Sequence, residues 1–246
     1  MPPLFIALQL LFLMLLVIGL VLVIASLIVS ASARRAREFV LFERRADLGH
    51  RLMFAAIGPF LLDLFLEAPV IGGPFAVLVG TWLVWCLQPS QRRVDVSAEA
   101  MFRSPPEAVA SVMFDVSQQP RWMESIKAAS LVTPGLLRVG SVIRQTAVVA
   151  GNDLAATLRV SELVPYQRLA LALEGSPSDT IDVLEVAAQD GGSLVTFRGT
   201  HRISFAVAVL TGWRTPSLRR AYAKNRAASL ERLRALVDRA APSRAT

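Results

Sequence analysis

From Leu4 to Ala31 the chain runs for 28 residues without a charge. Folded as a helix, a stretch of this length outreaches a hydrocarbon core of about 30 Å, with tilt to spare. A second apolar block, Leu52–Leu87, is interrupted only by Asp63 and Glu67. After Pro89 the character changes to short alternating runs, turns and one charged helix. The chain therefore reads in two parts. Residues 1–90 are expected to form a transmembrane region, and residues 91–246 a soluble domain long enough to bury its own core.

Within the first part the expected spans are about 4–31, 52–67 and 70–88. Ser32-Ala33 offers a small-residue cleavage site. The missing basic n-region and the long apolar run nevertheless favour a retained span over a signal peptide. Block 52–88 is too long for one crossing, and Ala68-Pro69-Val70-Ile71-Gly72-Gly73-Pro74 breaks it into a hairpin. Asp63 and Glu67 then fall near the far interface, where a carboxylate reaches water. Trp82 and Trp85 suit the returning interface. Residues 34–51 read as a short loop with six arginines against three acids, and Arg92 and Arg93 follow the second block. Positive charge marks the cytoplasmic side, so the expectation is an integral, multi-pass protein with its soluble domain in the cytoplasm. If 52–67 instead lay on the membrane surface, two spans would remain and the domain would face outward.

The net charge of +7 sits mostly after residue 90, where 20 Lys/Arg meet 14 acids. Cys86 is the single cysteine, which excludes a disulfide within the chain and a cysteine-based metal cluster. The two histidines, His50 and His201, form no metal-ligand spacing, and no P-loop, dinucleotide-binding glycine pattern or Gly-x-Ser-x-Gly is present. No metal, cofactor or catalytic residue is assigned, and His201 is expected on a strand facing solvent.

Strand signals follow one another through the second part: 94–102, 126–132, 141–149, 154–163, 168–173, 180–187 and 193–204. Leu169, Leu171 and Leu173 alternate with Ala170 and Ala172, as in a strand with one large-residue face. Ser104-Pro105-Pro106-Glu107 reads as a helix start with Ser104 as N-cap, and 118–124 as a second helical turn. Turns at Thr133-Pro134-Gly135, Gly151-Asn152, Gly175-Ser176-Pro177-Ser178 and Asp190-Gly191-Gly192 are short, so successive strands should pair antiparallel. Pro216–Ala240 closes the chain as a helix, with Leu218, Tyr222, Leu230, Leu233, Val237 and Ala240 at helical spacing. Its other surface carries Arg219, Arg220, Lys224 and Arg226.

The order of these motifs resembles the START-related superfamily, also called SRPBCC, and within it the polyketide cyclase/dehydrase-like group. The likeness rests on Val96-Ser97-Ala98 leading to Ser104-Pro105-Pro106-Glu107, Pro120-Arg121-Trp122-Met123, Gly140-Ser141-Val142, Arg159 to Pro165, Gly191-Gly192-Ser193 and the closing helix. It covers residues 94–240 and none of the apolar part. The fold it implies is α+β and helix-grip: a curved antiparallel sheet of about seven strands around a long C-terminal helix, with an apolar cavity between them. Two to three helical membrane segments would precede it.

Trp122, Met123, Arg144, Leu171, Phe197 and Tyr222 are the candidates for lining that cavity, with Arg144 and Tyr222 as a possible polar pair. Arg214, Arg219, Arg220, Lys224 and Arg226 are candidates for contact with anionic headgroups. Too few aromatic residues interleave with these cations for nucleic-acid stacking, so no nucleic acid is expected as partner. The leading reading is a membrane-anchored domain that binds a lipid, quinone or other hydrophobic small molecule. The alternatives are a polyketide cyclase/aromatase-like enzyme, and an interaction module without a ligand that meets a membrane protein or a second copy of itself.

Overall fold

The computed structural model describes residues 3–33, 35–67, 69–88, 92–149, 151–176, 179–202 and 215–240. Two compact units emerge: one draws on the helices before residue 92, the other on residues 37–40, 93–202 and the C-terminal helix.

The first unit contains α1 (Pro3–Ala33), α2 (Phe39–Glu67) and α3 (Pro69–Leu87). Small residues let α1 and α2 meet closely. A β-carbon on Gly49 would stand 2.3 Å from Oγ of Ser30, and Ser26 Oγ donates to the Gly49 carbonyl at 2.7 Å. Arg45 Nη1 reaches the Ser32 carbonyl at 3.1 Å, which satisfies an acceptor at the C-terminal end of α1.

Three sequence expectations change here. The 34–51 loop is helical from Phe39 onward, where Asp47 pairs with Arg51 one turn away at 2.7 Å. The expected 68–74 hairpin break is helical from Pro69 onward, because Pro69 suits the first position of α3 and the helix runs on through Pro74. Among the described residues one helix, Leu13–Ala33, is long and apolar enough to cross a membrane, so the multi-pass expectation lacks support. The longest apolar stretch of α3, Gly73–Cys86, is shorter, and α2 spends its first turns on charged residues. Trp82 and Trp85 stack on each other, centroids 4.7 Å apart, beside the buried Cys86.

The second unit is a seven-stranded antiparallel sheet, curved around its closing helix. Its strands are β1 (Arg93–Phe102), β2 (Ile126–Leu131), β3 (Val142–Val149), β4 (Asn152–Val164), β5 (Arg168–Leu173), β6 (Ile181–Gln189) and β7 (Gly192–Arg202). The spatial order is β1-β7-β6-β5-β4-β3-β2, so only the first strand leaves sequence order and pairs with the last. Between β1 and β2 lie α4 (Pro106–Met113), a 3₁₀ turn (Val116–Gln118) and α5 (Gln119–Trp122). The C-terminal helix α6 spans Thr215–Ala240.

Local chemistry explains the punctuation. Pro106 opens α4 at its first position, which makes Pro105 the N-cap in place of the expected Ser104. The Ser104 carbonyl instead accepts from Ser193 Oγ at 2.6 Å. Asp115 caps the 3₁₀ turn by accepting from the Ser117 amide. The β6–β7 hairpin turns through Asp190 and Gly191, both at positive φ. Gly192 has a different reason: a β-carbon there would lie 2.0 Å from the Phe102 carbonyl oxygen.

One face of the sheet is apolar and packs on α4, α5 and α6. Its core includes Val109 and Met113 from α4, Trp122 from α5, and Leu230, Leu233 and Val237 from α6. These three α6 residues recur at three- and four-residue spacing, so they share one helical face.

Candidate functional site

The register decides which strand residues face the helix. Gly199 of β7 pairs with Asp182 of β6, Asp182 with Leu171 of β5, and Leu171 with Val160 of β4. Neighbours in such a row share a face of the sheet. Two residues along, Phe197 and His201 of β7 share the face with Gly199, because strand side chains alternate.

Between this face and the first half of α6 lies a cavity of about 370 Å³. Apolar residues make up most of its wall, among them Met123, Leu158, Leu171, Phe197 and Leu218. Asp182, His201, Tyr222, Asn225 and Arg226 bring polar groups to the same space. A second hollow of about 520 Å³ lies on the outer side of β6 and β7, lined by Arg198, Thr200 and Arg202. Arg198 and Arg202 are exposed there and paired with Glu185 and Asp179, so it reads as a solvated surface groove.

Arg226 is the central polar group of the inner cavity. It is 5 % exposed, and its guanidinium lies 4.0 Å over the centroid of the Phe197 ring. Nη2 donates to Asp182 Oδ1 at 2.6 Å. Nε and Nη1 are buried and have no acceptor among the described residues. The guanidinium finds room because position 199 has no side chain: a β-carbon there would stand 1.8 Å from Nη2.

His201 is half-buried against Tyr222, with ring centroids 5.2 Å apart and planes at 23°. Its Nδ1 meets Thr180 Oγ1 at 3.1 Å, while Nε2 is buried without a partner among the described residues. Burial holds the imidazole below its usual pKa; Arg226 acts in the same direction, whereas Asp182 and Asp95 oppose it. The ring is therefore biased toward its neutral form.

Four of the six cavity candidates, Met123, Leu171, Phe197 and Tyr222, line this space. Trp122 is fully buried behind it and meets Phe197 edge-on at 6.0 Å. Arg144 is a correction. It pairs with Thr157 on β4 and is exposed on the opposite face, whereas its neighbour Gln145 faces inward. No Arg144–Tyr222 pair forms.

Among the headgroup candidates, Arg219, Arg220 and Lys224 are exposed, and Arg219 donates to the Arg93 carbonyl at 2.9 Å. Arg214 lies outside the described residues. Arg226 is a second correction, buried in the cavity instead of facing a membrane. The signal was present, since residue 226 stands four after Tyr222 and four before Leu230, on the apolar line of the helix. His201 is a third correction: strand alternation puts it on the cavity face, not toward solvent.

Residues 93–238 match the family profile described as "Polyketide cyclase / dehydrase and lipid transport", which is well over half of the chain. The chain belongs to this family. Solved structures agree with the polyketide cyclase/dehydrase and lipid-transport fold. TTHA0849 from Thermus thermophilus is 17% identical with a TM-score of 0.52, covering 60% of this chain and 99% of that one. A START superfamily protein from Mycobacterium smegmatis is 13% identical with a TM-score of 0.50, covering 59% and 98%. The Zhui aromatase/cyclase from Streptomyces sp. R1128 is 15% identical with a TM-score of 0.50, covering 61% and 97%. No curated protein matches the sequence. At these identities the structures speak for the fold. What the cavity holds is a question for its own residues.

Proposed function

We propose that residues 91–246 form a binding domain for a hydrophobic small molecule, a lipid or quinone among them, and that residues 1–90 hold it at a membrane. The observation that carries this reading is the 370 Å³ cavity between the sheet and α6, mostly apolar with a few convergent polar groups. The family description names lipid transport, which agrees with a pocket of this character. Tethering through α1 would raise the local concentration of the domain at the bilayer that supplies an apolar ligand. The six arginines after α1 favour the cytoplasmic side for the domain.

The test is mass spectrometry of small molecules released from the detergent-solubilised, folded full chain. Recovery of a defined apolar species above the level in a mock purification supports the proposal. A folded sample that releases none overturns it. A topology reporter fused after Thr246 checks the orientation, and activity only on the extracytoplasmic side would reverse it.

A second reading has one observation in its favour. Asp182, His201, Tyr222 and Arg226 line the same cavity, and a cyclase-type reaction uses acid/base and oxyanion-holding groups in an apolar space. A neutral imidazole with a buried Nε2 suits proton transfer. Yet Asp182 is held by Arg226, so the set presents a bound ion pair more than a free acid and base. Turnover of a polyketide-like substrate that is lost in His201→Asn would favour this reading over simple carriage.

A further inference from the structure

Resting on the cavity reading above, we propose that the ligand is an amphipathic monoacid whose carboxylate-class head is received by Arg226, with His201 beside it. Arg226 could be no more than a wall of the cavity. Its hydrogen bonding argues otherwise. A guanidinium offers five N–H donors, and among the described residues Nη2 alone has an acceptor, while Nε and Nη1 are buried with none. Buried donors of this kind normally have partners, since an unmet one costs free energy. The vacant positions occur on a residue that lines the cavity, and His201 Nε2, likewise without a partner among the described residues, lines it too. An oxyanion entering there supplies what the protein leaves unmet.

Charge limits the class further. Asp182 occupies Nη2 from a position where its side chain is 31% exposed, so water shares its charge and the cation's remaining positive field faces the cavity. One arginine with a neutral imidazole suits one negative charge better than the doubly charged head of a phosphomonoester. The rest of the ligand would lie along Leu158, Leu171 and Phe197, in a wall that is mostly apolar. Phe197 beneath the guanidinium fixes its plane and gives the head a rigid seat.

The experiment compares decanoic acid with methyl decanoate by titration calorimetry on the purified full chain in detergent, for the wild type and for Arg226→Met. Partition into detergent is common to both proteins and cancels between them. The acid should bind the wild type about ten-fold or more tightly than the ester, and the substitution should remove that preference while leaving ester binding nearly unchanged. Equal affinity of acid and ester for the wild type overturns the acid head but leaves the cavity reading standing. Binding of neither by the folded protein overturns the acid head, and the mass spectrometry of released molecules then decides the cavity reading. Should Arg226→Met fail to fold, Arg226→Lys takes its place and should weaken the preference for the acid relative to the wild type; an undiminished preference in Arg226→Lys would overturn the proposal.

Discussion

A β-carbon placed on Gly199 would stand 1.8 Å from Nη2 of Arg226 and 2.6 Å from the oxygen of Asp182 that this nitrogen binds. The missing side chain on β7 is thus what allows a guanidinium from α6 to lie against the sheet. Because the obstructed atom ends a flexible side chain, the strand need not move when the residue enlarges. Gly199→Ala should displace the guanidinium and break its bond to Asp182, lowering stability by about 1–3 kcal/mol. Chemical denaturation measures it. A loss no larger in the double variant Gly199→Ala/Arg226→Met than in Arg226→Met alone confirms that the two act on one interaction.

Gly192 offers the contrast. Its virtual β-carbon meets the Phe102 carbonyl oxygen at 2.0 Å, and backbone cannot rotate aside. Gly192→Ala should therefore cost more than Gly199→Ala and disturb the β1–β7 edge. Faster amide exchange in 98–102 than in the wild type is the expected signature, and an unchanged exchange pattern would refute it.

His201 should make stability depend on pH in one direction. Burial lowers its pKa in the fold, with Arg226 assisting. The unfolded chain then binds more protons than the folded one between the folded pKa and about 6.5. Stability is fully present above that range and falls as pH drops through it. Urea midpoints measured across this window should decline in the wild type and decline less in His201→Asn. Parallel curves for the two proteins would assign the effect to other groups.

Leu233 on α6 is fully buried among the residues that clamp the helix to the sheet. Leu233→Ala should cost about 2–5 kcal/mol through lost burial and a residual cavity. Leu218, on the same helix but 42% exposed beside the ligand cavity, should tolerate Ala with far less loss of stability. A similar cost at both positions would contradict this division of the helix into clamp and cavity wall.

The apolar character of α1 makes a cellular prediction. The full chain should sediment with membranes and stay there through an alkaline carbonate wash, because Leu13–Ala33 is long enough to span. Release into the wash would show that the helix lies elsewhere.

Much of the architecture was legible in the residue order. Turn chemistry at Gly151, Gly175 and Asp190-Gly191 bounded the strands within a few residues, and the Leu169–Leu171–Leu173 alternation identified a buried face. Charge misled twice. Arginines and acids in 39–51 suggested a loop although they sit on the first turns of α2, where charged residues are good helix formers. Arg226 was grouped with its cationic neighbours although its spacing set it on the apolar line. Arg144 and His201 could not be assigned to a face at all, because a shift of one residue in pairing sends every side chain of a strand to the other side.

Short-range periodicity, turn chemistry and composition were thus enough to specify the local elements, their antiparallel succession and one helix able to cross a membrane, while the order of motifs carried the resemblance to the family. Which polar groups meet was left to the assembled fold. The row Gly199–Asp182–Leu171 and the approach of Arg226 from α6 depend on strand register and on where the helix lies across the sheet. Those are long-range relations that no local pattern encodes, and they turn an arginine that looks like surface into the polar centre of a buried cavity.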